Sequence, residues 1–169
     1  ERNRELGLIS KYDELTGLLN LRGFTEQIKN FCSKSEHQRA YIICADLDHL
    51  KEINDTWGHP AGNFALRSVA NIFNGCLRSQ DVVARTGGDE FLILLNCQEK
   101  NFQDIFRKRV RDACAAFNAE SGKPFLVEVS LGITEFKPSP ETDIPAIIEH
   151  ADKDLYESKK LRKNSVRRP

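Results

Sequence analysis

Four acidic residues stand where carboxylates could do chemistry. Asp46 and Asp48 close the apolar run YIICADL (residues 41–47), and Asp89 and Glu90 follow the pair Gly87-Gly88. Each pair lies at one end of a segment whose composition predicts a buried strand. If the two strands are neighbours, the carboxylates meet at one edge of the sheet and offer hard oxygen ligands suited to magnesium. A two-glycine turn also lets the backbone approach a polyphosphate, because no Cβ intervenes. A lone Asp at a strand end is ordinarily a solvated turn residue. Two acidic pairs around a Gly-Gly turn make a candidate site.

The scaffold that must place them can be read from periodicity. Residues 41–47 are apolar and rich in β-formers, as expected for a central strand covered on both faces. After a GHPAG breaker, Leu66, Val69, Ala70, Phe73 and Leu77 recur at helical spacing. Two apolar runs, Asp81 to Thr86 and Asp89 to Leu95, flank Gly87-Gly88 and predict a hairpin with a type I′ turn, whose two central residues need positive φ. Phe102, Ile105, Phe106, Val110, Ala113, Cys114 and Phe117 trace another helix, closed by Gly122-Lys123-Pro124. Phe125, Val127, Val129, Leu131 and Ile133 alternate with Glu128, Ser130 and Thr134, the pattern of a strand with one buried face. Ile144, Ile147, Ile148, Ala151 and Leu155 form a last helix, with Asp143 near its cap and Pro145 in its first turn. The order predicts an α/β fold, an α+β sandwich with a central, mainly antiparallel sheet and flanking helices.

Composition narrows the function classes. A chain of 169 residues with 40% hydrophobic residues fits one ordinary domain. The 25 Lys plus Arg balance 25 Asp plus Glu, so no global field favours nucleic acid or an anionic membrane, and any anion site must be local. Five cysteines without a CxxC pair argue against a disulfide framework or zinc site and fit a reducing cytoplasm. No apolar run approaches the roughly 20 residues that span a bilayer. Leu6 and Ile9 in the charged segment from Glu1 to Tyr12 read as the last turns of an upstream helix, and the Lys/Arg-rich end offers little that could pack. The expected organisation is residues 1–12 as that helix end, 13–164 as one folded domain and 165–169 as a tail.

Five ordered segments carry a resemblance. Asp13-Glu-Leu-Thr-Gly-Leu-Leu-Asn20, Asp46-Leu-Asp-His-Leu-Lys-Glu-Ile-Asn-Asp55, Gly58-His-Pro-Ala-Gly62, Arg85-Thr-Gly-Gly-Asp-Glu-Phe91 and Asp154-Leu-Tyr-Glu-Ser-Lys159 closely resemble the successive motifs of GGDEF domains, the diguanylate cyclases, from about Tyr12 to Asn164. The resemblance implies a palm-like, ferredoxin-type nucleotidyl cyclase fold. It implies a nucleotidyltransferase that condenses two GTP into cyclic di-GMP with release of pyrophosphate. The enzyme would work as a homodimer with Mg²⁺ or Mn²⁺, in the cytoplasm, under an upstream sensor in a longer and membrane-anchored or soluble protein.

It also implies roles. Asp46, the carbonyl of Leu47, and Asp89 would bind the metal, and Asp89 would accept the proton of the attacking 3′ hydroxyl. Lys51 would stabilise the transition state, and the backbone of His49 and Leu50, with Gly87 and Gly88, would face the phosphates. Lys159 matches a triphosphate-binding lysine, and Lys163 replaces an arginine, keeping the charge but losing bidentate geometry. Arg162 stands where the family usually has glycine, and Leu21 where it commonly has arginine. Asn54 would read guanine together with an aspartate whose position is held here by Asn63. Arg78 and Asp81 match an RxxD inhibitory site for cyclic di-GMP. The other readings are a catalytically weak domain that senses GTP or cyclic di-GMP, and a relaxed cyclase that makes mixed cyclic dinucleotides.

Overall fold

The structure is a computed structural model describing residues 10–34 and 38–165, with side chains as far as residue 162. Four strands, β1 (Ala40–Leu47), β2 (Val82–Gly87), β3 (Glu90–Leu95) and β4 (Val129–Phe136), form one sheet in the order β2-β3-β1-β4. Every neighbouring pair is antiparallel. Helices α1 (Leu21–Lys34), α2 (Leu50–Trp57), α3 (His59–Cys76), α4 (Phe102–Ser121) and α5 (Ile144–Ser165) cover it. From β1 onward the connectivity is the βαββαβ of ferredoxin-like folds, with two helices in the first crossover.

β1 shows why its sequence is almost wholly apolar. Its residues alternate between two cores: Tyr41, Ile43, Ala45 and Leu47 pack with α2, α3 and α4, while Ala40, Ile42 and Cys44 pack with α1 and α5. The five cysteines are free thiols. Burial pushes the Cys44 thiol up to about 12 and the Cys114 thiol up to about 11, so both stay protonated and act as small apolar residues. Among the described residues no helix is long and apolar enough to cross a membrane.

Several expectations change in detail. The GHPAG segment is not a break before a helix, because α3 already starts at His59 with Pro60 in its first turn; the break is Gly58, at φ 87°. Neither Gly87 nor Gly88 has positive φ, so the hairpin does not use a type I′ turn; a register shift between Arg85 and Gly87 takes up the bend. β4 begins at Val129, and Phe125 and Val127 are buried without belonging to it. Its second face is also covered: Ser130 is buried, and α5 lies directly on Gly132. Ile105 points to solvent, at 49% exposure. The expected helix end over residues 1–12 falls outside the described residues up to residue 9, and beyond that Tyr12 is extended, bridging Leu19. Residues 166–169 of the expected tail also lie outside the described residues.

Candidate active site

The pairing of β1 with β3 sets Asp46 opposite Glu90, and the Leu47 N–H donates to the Asp89 carbonyl at 2.9 Å. The acids therefore converge at one end of the two central strands, not at a lateral edge of the sheet, since β3 lies between β2 and β1. Asp46 continues the alternation of Ala40, Ile42 and Cys44, which puts its side chain on the α5 side. There its carboxylate meets the Lys159 ammonium, with the Asp46 side chain only 16% exposed. Asp48 is held differently. Its carboxylate accepts from the Ser130 hydroxyl at 2.7 Å and from Arg162 at 3.2 Å, and its N–H donates to the Glu128 carbonyl at 2.8 Å. Desolvation, then repulsion by Asp46, Asp89 and Asp152, holds the Glu90 carboxyl above the usual carboxylate range, with Lys159 opposing. Negative charge is in excess at this point of the molecule.

The turn that carries Asp89 is fixed from outside. Arg85 donates to the Gly88 carbonyl through Nε (3.1 Å) and a terminal nitrogen (2.8 Å), and to Asp13 at 2.9 Å. Burial pushes the Asp13 carboxyl up, but hydrogen bonds from the Thr16 hydroxyl and N–H, with Arg85 beside it, outweigh that and hold it below the usual range. Asp13 thus links the first motif to the glycine turn. The same N-terminal segment covers the outer side of β2, where the Arg85 N–H donates to the Leu19 carbonyl at 2.9 Å.

Two residues after Asp48 the chain enters α2. His49 adopts the left-handed conformation at φ 61°, which turns the chain from the strand end into the helix N-terminus. That places the first free N–H groups of α2 beside the acidic strand ends, an arrangement suited to phosphate. Lys51 is exposed in the first turn. On the next turn Asn54 is half-buried against α3: a Cβ on Gly62 would lie 1.8 Å from the Asn54 Oδ1, so only glycine admits this amide. Asn63, the following residue, is exposed.

Of the residues expected to act, the structure brings Asp46, Leu47, Asp89 and Lys159 to one place, with Gly87, Gly88, His49, Leu50 and Lys51 on the adjoining turn and helix. The Lys163 side chain lies outside the described residues. Arg78 and Asp81 are at the far end of β2, about 20 Å away by strand rise. Asp81 accepts from the Arg78 N–H at 2.8 Å and the Asn96 N–H at 3.0 Å, and exposed Arg78 lines an open polar cavity of about 750 Å³ with Gln38, Gln80, Asn96 and Gln98. Sequence reasoning gave no role to Ser130, Asp13 or Arg85. Asp13 and Arg85 did stand at the head of two of the quoted motifs, whereas Ser130 was read only as a polar-face residue of its strand.

Residues 10–165 match the family model described as diguanylate cyclase, GGDEF domain. The chain belongs to the GGDEF family. It is 37% identical over 126 residues to diguanylate cyclase A of Treponema denticola, a match covering 74% of this chain and 34% of that protein. It is similar in structure to diguanylate cyclase SiaD of Pseudomonas aeruginosa, solved with its activator SiaC, at TM-score 0.78 and 32% identity, covering 94% of this chain and 62% of that one. It is also similar to the GGDEF domain of DgcB from Caulobacter crescentus in complex with c-di-GMP, at TM-score 0.75 and 27% identity, covering 90% and 91%. The chain spans about a third of the length of the first curated relatives it matches. As in other GGDEF domains, the four-stranded antiparallel sheet with flanking helices is the palm-like fold of nucleotidyl cyclases.

Proposed function

We propose that this GGDEF domain is an active diguanylate cyclase that joins two GTP molecules into cyclic di-GMP as a homodimer. The observation that carries the reading is the meeting of Asp46, Leu47 and Asp89 at the ends of β1 and β3, with Lys159 reaching the same point from α5. The donor set fits magnesium: two carboxylates and one carbonyl are hard oxygens that leave room for water and phosphate. Asp46, the Leu47 carbonyl and Asp89 would hold the ion, which supplies charge neutralisation for the triphosphate and acidifies the 3′ hydroxyl.

The chain's own residues do the rest. Asp89 accepts the proton as the 3′ oxygen attacks the α-phosphate and pyrophosphate leaves. Lys51, Lys159 and Lys163, with the backbone of His49 and Leu50, bind the phosphates, and Gly87 and Gly88 admit them without steric conflict. Asn54 reads the base from its half-buried seat against Gly62, and exposed Asn63, the next residue along α3, adds to the reading. Each domain holds one GTP, so two must face each other for both bonds to form. Arg78 and Asp81 form a product-inhibition site at the other end of the sheet, and an upstream sensor module in the full protein controls the pairing.

A second reading, relaxed base selectivity, is favoured by one observation: the exposed residue at the guanine-reading position is an amide. One experiment tests both. The protein at high concentration is incubated with Mg²⁺ and GTP, ATP or the two together, and products are identified by mass. Cyclic di-GMP from GTP is expected, and its absence at every concentration overturns the cyclase reading.

A further inference from the structure

β4 is an edge strand, so backbone groups along its outer side need covering. Two of them are covered by side chains from opposite layers. Arg107, from α4, donates to the Leu131 carbonyl. Asp154, from α5, accepts the Ile133 N–H at 2.8 Å, and the same Asp154 oxygen accepts from Arg107 at 2.7 Å. Between the two backbone groups stands Gly132, where a Cβ would lie 2.0 Å from the Ala151 carbonyl oxygen and 2.4 Å from the Leu155 nitrogen. The helix therefore lies directly on the strand and is tied to it at adjacent points.

That attachment governs what lies farther along α5. Lys159 is five residues beyond Asp154, about 7.5 Å of helix rise, and there it meets Asp46; Arg162 meets Asp48 and Ser130. Sliding the helix by one residue would displace both cations by about 1.5 Å, enough to break hydrogen-bonding geometry. We infer that Asp154, braced by Arg107, is a positioning residue: it sets the register of α5 on β4 and so delivers Lys159 to the acidic strand end and to the nucleotide phosphates. The phosphate half of this inference rests on the cyclase reading; the clamp itself does not.

The test uses Asp154→Asn, Lys159→Ala, the double variant, and Arg107→Met as a milder release of the same clamp, each checked by circular dichroism. In ligand-free protein, hydrogen exchange of the Ile133 amide should accelerate in a further variant, Asp154→Ala, which leaves that N–H no side-chain acceptor; unchanged exchange overturns the clamp. The nucleotide probe is 3′-deoxy-GTP with Mg²⁺, which lacks the attacking hydroxyl and so binds without turnover. Asp154→Asn should weaken its binding about tenfold, within the range for residues in one network, and Arg107→Met less, in the same direction. In the Lys159→Ala background, Asp154→Asn should add under about twofold, because its effect passes through Lys159. Additive losses would show that Asp154 serves stability alone and would overturn the inference. If the wild type does not bind 3′-deoxy-GTP at all, the cyclase reading fails and the phosphate role of Asp154 falls with it, whatever Ile133 shows.

Discussion

The two ends of the sheet handle charge in opposite ways. At the acidic end, partners come from far along the chain: Lys159 and Asp46 are 113 residues apart, and Arg162 and Asp48 are 114. At the other end, Asp81 is satisfied by N–H groups 3 and 15 residues away. The first end depends on how whole elements are seated, and the second is a self-contained turn. Ligand binding should therefore be separable from folding at both ends, but for different reasons. Acids at the first end repel one another and are held by cations that α5 brings in, whereas Arg78 at the second projects from a turn that Asp81 has already fixed.

The largest expected effect is at the acidic end. Asp46→Ala or Asp89→Ala should lower cyclic di-GMP formation by on the order of 10³-fold, because each removes a charge from the reacting centre. Circular dichroism and the thermal midpoint should stay close to wild type, since neither side chain belongs to the two apolar cores. An Asp89→Ala protein that turned over GTP near the wild-type rate would remove the catalytic end from the comparison. At the opposite end, Arg78→Ala should weaken cyclic di-GMP binding by about 100-fold, the loss of a bidentate charged contact, with little change in stability. Asp81→Ala should cost stability as well, since it leaves the Arg78 and Asn96 N–H groups without their acceptor. Calorimetry on nucleotide-stripped protein that finds no cyclic di-GMP binding to the wild type sinks the inhibitory site.

Between the ends, the Asp13–Arg85 tie sharpens the contrast, because it is a long-range contact that serves a local turn. Asp13→Asn should cost about 1–3 kcal/mol at neutral pH, by losing charge-assisted bonds to Thr16 and Arg85. The sign with pH follows from its lowered carboxyl. A depressed folded pKa contributes stability that is present above the unfolded value of about 3.9 and is lost as pH falls through the folded value. The gap between wild type and Asp13→Asn should therefore close on acidification below about pH 4, as measured by urea denaturation across pH. A gap that persisted at low pH would assign the loss to shape and not to charge.

What was legible in the sequence divides along the same line. The buried central strand, the hairpin and the stripes of α3, α4 and α5 followed from periodicity, which reports burial along one element at a time, and the acid pairs from their place at the strand ends. Arg78 and Asp81 were reached through the family resemblance, and the local turn that Asp81 closes was not read from the residues. What escaped was contact between elements: Arg85 on the Gly88 carbonyl, Ser130 on Asp48, Arg107 with Asp154 across the β4 edge. The hairpin shows the limit most clearly. Gly87-Gly88 predicted positive φ, yet the bulge and the Arg85 guanidinium shape that turn instead, and neither is a property of the two glycines.

The smallest expected effect concerns base selection. An aspartate at position 63 could accept from guanine N1–H and N2–H₂ with charge assistance, whereas the asparagine amide offers one acceptor and one donor group. Against guanine one bond goes unmade; against adenine, with N1 as acceptor and N6–H₂ as donor, both amide groups can be used. In a dry site that difference would be on the order of 1–3 kcal/mol, but Asn63 is exposed, so water can satisfy the unmatched group. Asn54, half-buried against Gly62, has no such relief and should carry most of the discrimination. Asn63→Asp is therefore expected to raise the ratio of GTP to ATP affinity by about fivefold, near 1 kcal/mol. Dissociation constants for both nucleotides in the two proteins check this. An unchanged ratio would mean that Asn63 plays no part in reading the base, leaving selectivity to the amide that the α2–α3 contact holds in place.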